Sequence, residues 1–443
     1  MYLSEGARHI LTVLSQNGYE AHAVGGCVRD MLLGKIPHDY DICTSALPEQ
    51  ILKCFSDHKT LTVGMKHGTI TVLYKSVPYE ITTYRTDGTY SDNRHPDKVQ
   101  FVRSLYEDLA RRDFTVNAIA YNPTDGLTDF FGGQADLQNK TVRCVGSPDQ
   151  RFFEDALRIL RALRFASVLG FSLDEQTARS IHKNKHLLQN IAAERLRDEL
   201  TKLLCGKNVK NILTEYADVF CEIIPEIALC IGFAQDNPHH CYDVWTHIVH
   251  TVDNVQPEPL LRVTMLLHDI SKPQCRTTDK VGIGHFKGHC AEGAKTAEKI
   301  LRRLRFDTKT IHTVTTLILH HDERPKDLPS LRRLTAAVGK ENMPLLIAVQ
   351  RADAHGKTPS TISGQLAYIQ GLADSYNEIL SRNDCLTLSD LAVKGDDLLA
   401  LGIPSGKEIG NILNTLLSAV IDGKLPNDKQ TLLSVVNTTN PCQ

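Results

Sequence analysis

"GGCVRDMLLGKIPHDYDI", residues 25–42, gathers a glycine pair, an Arg-Asp pair and two aspartates one residue apart. The residues leading into it, "YEAHAVGG", read as a strand running into a glycine turn, and "VRDMLLG" reads as a short helix closed by Gly34. "DYDICT" reads as a second strand. Side chains two apart on a strand share a face, so Asp39 and Asp41 present two carboxylates together. Such a pair repels unless a cation joins it, and Mg²⁺ suits oxygen ligands combined with a phosphate. Gly25 and Gly26, between strand and helix, let backbone N–H groups approach a triphosphate, and Arg29 on the first helical turn reaches phosphate oxygens. A third carboxylate on a neighbouring strand would complete a two-metal site; Glu80 in "PYEIT" is the best-placed candidate, to within a residue or two of register. This grouping is the machinery of phosphoryl or nucleotidyl transfer.

Working outward, "TITVLY" and "YEITTYR" alternate as further strands with Pro78 expected at the turn between them. Residues 1 to about 20 read as an amphipathic helix. From about residue 151 the period becomes helical, in "EDALRILRALRFASVLG", "DEQTARSIHKNKHLL" and "AAERLRDELTKLL", and helices dominate to the C-terminus. The predicted class is α+β: a small mixed sheet, then a mainly α-helical remainder. At 443 residues, 42% hydrophobic and 23% charged, the chain is globular and long enough for two to four domains. No apolar run approaches the roughly 18 residues of a membrane span, and the N-terminus lacks the features of a leader, so a cytoplasmic protein without a membrane partner is expected. Twelve cysteines without a CxxC pair indicate neither a zinc ribbon nor a disulfide framework. The net charge of −2 argues against indiscriminate nucleic-acid binding, yet residues 140–210 carry 14 Lys and Arg against 8 Asp and Glu, a locally basic stretch. Nothing in the sequence fixes an oligomeric state.

The opening stretch resembles the signature of the polymerase-β-like nucleotidyltransferase superfamily, in the branch of tRNA CCA-adding enzymes and bacterial poly(A) polymerases. "RRDFTVNAIAY" (111–121), "DFFGGQADL" (129–137), "EDALRILRALRF" (154–165) and "ERLRDEL" (194–200) are similar to that branch's later motifs, in the same order. The resemblance implies a polymerase-β-like palm with Asp39 and Asp41 as Mg²⁺ ligands and Gly25, Gly26 and Arg29 as triphosphate contacts. It further implies Asp113 and Asn117 against the incoming sugar and Arg112 near the phosphates. Substrates would be CTP, ATP and tRNA.

"EDALRILRALRF" is expected as one helix, which puts Asp155 and Arg158 on a shared face with Arg161 one turn on. The resemblance implies that Asp155 and Arg158 select bases without a template. Cytosine and adenine each show an amino donor beside a bare ring nitrogen, whereas uracil and guanine show a carbonyl beside a ring N–H. An ionised Asp only accepts and Arg only donates, so the pair matches C and A and opposes U and G. "TVGMKHGTITV" (62–72) is closer to the CCA-adding pattern than to that of poly(A) polymerases, and "TYRTDGTYSDNRHPDKVQF" (83–101) resembles the flexible loop of the full CCA-adding enzymes. A-only addition or poly(A) polymerase activity stays open as the alternative.

A second constellation begins near residue 240: His247, the adjacent pair His268 and Asp269, His289, His320 and His321, and Asp353. Imidazoles and carboxylates converging from several helices suit one or two divalent metals that activate a water. The order resembles that of HD phosphohydrolase domains, with either His320 or His321 as the ligand, an unidentified divalent metal, and phosphatase or cyclic-phosphate chemistry at RNA ends by analogy. An HD phosphohydrolase with an inert head is the reading from another class. The tail "LAVKGDDLLALGIPSGKEIGNILNTLLSAVIDGKL" (391–425) resembles the tRNA-gripping tail of CCA-adding enzymes. The division expected is a catalytic head (1–140), a helical neck and body with templating and RNA-binding helices (141–235), an all-α HD domain (236–356) and a helical tRNA-binding tail (357–443).

Overall fold

Alternating burial along short β-branched runs builds the sheet of the N-terminal half: in Val77–Thr83, Tyr79, Ile81 and Thr83 are buried while Glu80 between them is exposed. The computed structural model describes residues 2–87 and 99–439 and divides the chain into two units, Met1–Pro225 and Glu226–Gln443. The strands of the first unit are Ala21–Val24 (β1), Asp41–Thr44 (β2), Lys59–Leu61 (β3), Thr69–Tyr74 (β4) and Val77–Thr83 (β5), followed by the short pair Arg85–Asp87 (β6) and Val99–Phe101 (β7), then Ile119–Asn122 (β8) and Gly126–Asp129 (β9). Seven of them form one sheet in the order β3-β4-β5-β2-β1-β8-β9. Only β2 and β5 run parallel within it, so the sheet is mixed, as the class predicted from sequence requires. Residues 88–98 of the expected flexible loop lie outside the described residues; its two ends pair as β6 and β7.

Three local expectations are corrected. Pro78 is not in the β4–β5 turn but inside β5, opposite Leu73; the turn is made by Lys75 and Ser76, both at positive φ. Proline is tolerated there because β2 begins to pair with β5 only at Glu80. Asp39 is not on β2, which starts at Asp41: β1 ends at the pair Val24↔Asp41, beyond which Gly25 turns away into the helix Gly26–Leu32, so Asp39 has no strand to pair with and sits in a bend. Finally, "EDALRILRALRF" is two helices, Pro148–Glu154 and Leu157–Leu169, broken at Asp155, whose backbone is extended (φ −139°, ψ 102°). The Asp155 carboxylate accepts the N–H of Leu157 at 3.1 Å. A short acceptor side chain that bonds a nearby backbone N–H competes with helix continuation and starts the next helix instead.

The second unit is helical apart from the short pair Thr277–Thr278 and Gly284–His285. Helices Val244–Asn254, Pro259–Leu267, His289–Arg303, Thr308–His320 and Met343–His355 pack on one another as a bundle. A separate apolar cluster, including Leu391, Leu398, Leu416 and Leu432, closes the C-terminal helices. There the Gly-Ile-Pro-Ser-Gly turn ends at Gly406, at φ 125°, and opens helix Lys407–Ile421. Among the described residues no helix is long and apolar enough to cross a membrane.

Candidate functional site

The glycine turn and the acidic pair meet. Gly25 caps helix Gly26–Leu32 at φ 78°, ψ −132°, a conformation essentially restricted to glycine. A Cβ built there would lie 3.1 Å from the Arg112 guanidinium and 3.8 Å from Oδ2 of Asp41. The parallel register pairs Asp41 with Glu80, so the third carboxylate expected from sequence stands beside the second on the adjacent strand. Burial pushes the Asp41 carboxyl above its ordinary value; Arg112 opposes this, and the charges of Asp39 and Glu80 push it further up. Three neighbouring carboxylates, two of which raise the cost of ionising Asp41, are a donor set a divalent cation would fit.

Around them runs a chain of hydrogen bonds. Arg29 donates to Oδ1 of Asn117 at 2.8 Å, Asn117 donates to Asp113 at 3.2 Å, and Arg161 donates to Asp113 at 2.9 and 2.6 Å. Burial alone would raise the Asp113 carboxyl, but Arg161 holds it down to about 2. The helix Leu157–Leu169 thus positions Arg161 against the segment carrying Asp113 and Asn117. Phe165 on the same helix lies under three guanidiniums, Arg29, Arg161 and Arg164, at 5.1, 5.6 and 4.1 Å from its ring centre. Phe165 closes the quoted motif and Glu199, which receives Arg164 at 2.5 Å, lies in "ERLRDEL"; sequence reasoning quoted both stretches without assigning either residue.

Asp155 and Arg158 each have a charged partner of their own. Asp155 receives Arg195 at 3.1 Å, and Arg158 donates to Glu154 at 2.7 Å. Their side chains keep the acceptor and donor characters expected, but on either side of a helix break rather than on one helical face.

In the second unit His247, His268, Asp269, Asp353 and His321 are all buried and His289 is nearly so. Each of four imidazoles is anchored by Nδ1 to a backbone carbonyl: His247 to Gly356 at 2.8 Å, His268 to Met265 at 2.8 Å, His289 to Phe286 at 2.8 Å and His321 to Ile318 at 2.7 Å. A carbonyl only accepts, so each Nδ1 carries a proton and each ring turns its Nε2 inward. The Nε2 atoms of His247 and His268 face each other at 3.2 Å, with Oδ2 of Asp269 3.1 Å from both and Oδ1 of Asp353 3.2 Å from His247. Oδ2 of Asp269 also pairs with the Lys272 ammonium at 2.7 Å, whereas Oδ1 accepts no hydrogen bond, a costly arrangement for a buried carboxylate oxygen. His320 lies outside this convergence and bonds Glu323 at 2.6 Å. Consecutive residues on a helix point about 100° apart, which sends only one of the two toward the interior.

Charges compensate around the cluster. Burial would raise Asp269, but His268 and Lys272 hold it well below the carboxylate range; burial would raise Asp353, but Lys357 and His247 do the same there. Burial would lower His321, but Asp269 and Cys290 carry it well above the ordinary imidazole value. Burial would raise the Cys290 thiol, but His289 and His321 bring it down to about 6. The cluster opens onto a cleft of about 420 Å³ with Lys272, Lys287 and Lys357 on its walls, a setting for an anionic ligand.

Three family models match the chain: the poly A polymerase head domain over residues 21–143, "Probable RNA and SrmB- binding site of polymerase A" over 170–228, and tRNA nucleotidyltransferase domain 2 over 289–436. A CCA-adding enzyme of Levilactobacillus brevis is 36% identical, covering 98% of this chain and 97% of its own length. One of Ligilactobacillus salivarius is 35% identical, covering 96% and 94%. Among solved structures, the CCA-adding enzyme of Bacillus stearothermophilus in complex with CTP matches with a TM-score of 0.72 at 30% identity, over 98% of this chain and 97% of that one.

Proposed function

The chain belongs to the family of CCA-adding enzymes, and from that premise we propose that it transfers CMP, CMP and AMP from CTP and ATP to tRNA 3′ ends without a nucleic-acid template. The observation that carries the reading is the register Asp41↔Glu80 beside Gly25 and Arg112. Asp39, Asp41 and Glu80 would hold Mg²⁺. Bound there, the ions supply charge neutralisation for the triphosphate and activation of the attacking hydroxyl in a two-metal arrangement. The open backbone at Gly25 and Gly26 receives triphosphate oxygens, and Arg29 and Arg112 add positive charge to them. Asp113 and Asn117, locked by Arg161 and Arg29, hold the sugar of the incoming nucleotide.

Asp155 and Arg158 read the base. Their present partners, Arg195 and Glu154, are exchanged for the base edge when a nucleotide arrives, and a mismatched edge leaves a polar group unpaired at about 1–3 kcal/mol each. Incubation with tRNA lacking CCA and one labelled nucleotide at a time tests this. Incorporation of both cytidine and adenosine is expected; adenosine alone would make the protein an A-adding enzyme or poly(A) polymerase, and neither would leave an inert head.

A second activity is favoured by the inward-facing Nε2 atoms and by Oδ1 of Asp269, which accepts no hydrogen bond: a metal-dependent HD phosphohydrolase that removes terminal or 2′,3′-cyclic phosphates from RNA ends. His247, His268, Asp269 and Asp353 would hold the divalent ion, and Lys272 and Lys357 would attract the phosphate. Hydrolysis of a model cyclic phosphate, lost with chelator and with His268→Ala plus Asp269→Ala, is the expected result. No hydrolysis with any divalent metal would remove this activity. The corresponding division is a catalytic head (1–140), a neck and body (141–235), an HD domain (236–356) and a tRNA-binding tail (357–443).

A further inference from the structure

Phe165 has no part in the transfer scheme above, yet the bonds of that scheme close on its ring. The chain Arg29–Asn117–Asp113–Arg161 begins and ends with a guanidinium beside the same ring, Arg29 at 5.1 Å and Arg161 at 5.6 Å from its centre. Arg164 comes nearest, at 4.1 Å, and also donates to Glu199 at 2.5 Å. Phe165 is only 6% exposed, and it meets the ring of Phe114, the neighbour of Asp113, edge-on at 5.6 Å.

Three cations gathered about one buried ring repel one another. Burial lowers the Arg164 guanidinium from its ordinary value and the Arg161 charge adds to this, with Glu199 opposing both. Arginine stems cover apolar surface wherever they cross it, and packing alone would ask nothing of the ring's electrons. An aromatic face does more: it attracts a cation without neutralising it and without taking up its N–H donors, whereas a carboxylate does both. A site that receives a triphosphate gains from charge that is held in place and still available. Arg29 already shares Asp30 at 2.8 Å, and the ring adds support that costs it no further charge. We propose that Phe165 is a positioning residue for the incoming nucleoside triphosphate, which rests on the reading of the head as a nucleotide-transfer site. Through its π face it holds Arg29, Arg161 and Arg164 as one block, aiming Arg29 at the triphosphate and fixing Asp113 and Asn117 against the sugar.

The test replaces Phe165 in the full-length protein by phenylalanines with one, two and three ring fluorines, which draw electron density from the face at nearly constant shape. With Mg²⁺ and tRNA lacking CCA, the KM for CTP should rise with each fluorine, to about threefold to tenfold at three, while kcat and the KM for tRNA stay within about twofold. Phe165→Leu, apolar and of similar size but without a π face, should raise the KM for CTP at least as far. If that variant does not fold by circular dichroism, the fluorinated forms decide the matter. A KM for CTP that ignores fluorine number overturns the proposal even where Phe165→Leu is impaired, because the ring then supplies packing alone. A fall in kcat with an unchanged KM for CTP overturns it too. No incorporation by the parent protein removes the transfer reading and this role with it, whereas a flat series with normal incorporation removes only the role of the ring.

Discussion

The two polar centres of the chain are built on opposite plans. In the head the carboxylates Asp39 and Glu80 are exposed, while the groups around the acidic set, Arg29, Asn117, Asp113 and Arg161, satisfy one another in a continuous chain. In the second unit the converging residues are buried and anchored from behind, Lys272 and Lys357 pair with Asp269 and Asp353, and Oδ1 of Asp269 accepts no hydrogen bond. On the functions proposed above, the first is an open cleft that a substrate completes and the second a cage that an ion completes. A group's missing partner is therefore a better guide to what the site binds than its charge alone.

The largest effect that separates the two belongs to the head. Asp39→Ala combined with Asp41→Ala should reduce cytidine and adenosine incorporation by roughly 10³-fold or more, while Co²⁺ uptake by the second unit stays as in the parent protein. Unchanged incorporation would show that the acidic pair holds no metal needed for transfer. Next comes the cage. A divalent metal at a hundredfold its dissociation constant should stabilise the folded protein by about 2.7 kcal/mol, read as a rise of several degrees in Tm, and His247→Ala should erase that rise. A parent protein whose Tm ignores Mn²⁺ and Zn²⁺ would contradict the cage.

A smaller effect probes the chain of bonds in the head. Arg161→Ala leaves the buried Asp113 carboxylate without its main partner; because Arg161 is one-third exposed, the loss should be about 2 kcal/mol rather than the 3–5 of a fully buried pair. Asp113 is depressed to about 2 in the folded protein, so its contribution is present above the unfolded carboxyl value of about 3.9 and lost as pH falls from there. Urea unfolding should show the gap between parent and variant at neutral pH and its narrowing below about pH 4. A gap independent of pH would mean that the guanidinium contributes packing on Phe165, not charge.

The same contrast explains what the sequence revealed. The head site is carried by contiguous motifs, and alternation placed Glu80 on a neighbouring strand to within a residue or two; its pairing with Asp41 comes from the parallel register. What escaped was decided by partners the local sequence does not contain. Asp39 looks like a strand residue until β1 is seen to end opposite Asp41, and Asp155 looks helical until its carboxylate takes the Leu157 N–H. The ligands of the cage were readable as residue types, since His and Asp repeat in order.

The smallest expected effect resolves the one ambiguity that spacing left within the cage. His320 and His321 are neighbours at the end of helix Thr308–His320, and both read as ligands. His321 is buried with Nδ1 anchored to Ile318 and Nε2 toward Asp269; His320 keeps part of its surface and spends its Nδ1 on Glu323. The latter contact is a surface pair between residues three apart, worth less than about 1 kcal/mol. His320→Ala should therefore leave metal uptake at the parent value and shift urea unfolding only within that margin, whereas His321→Ala should weaken that uptake. If the two variants exchanged those outcomes, the inward direction assigned to this helix end would be wrong, and with it the placing of every ligand that faces Oδ1 of Asp269.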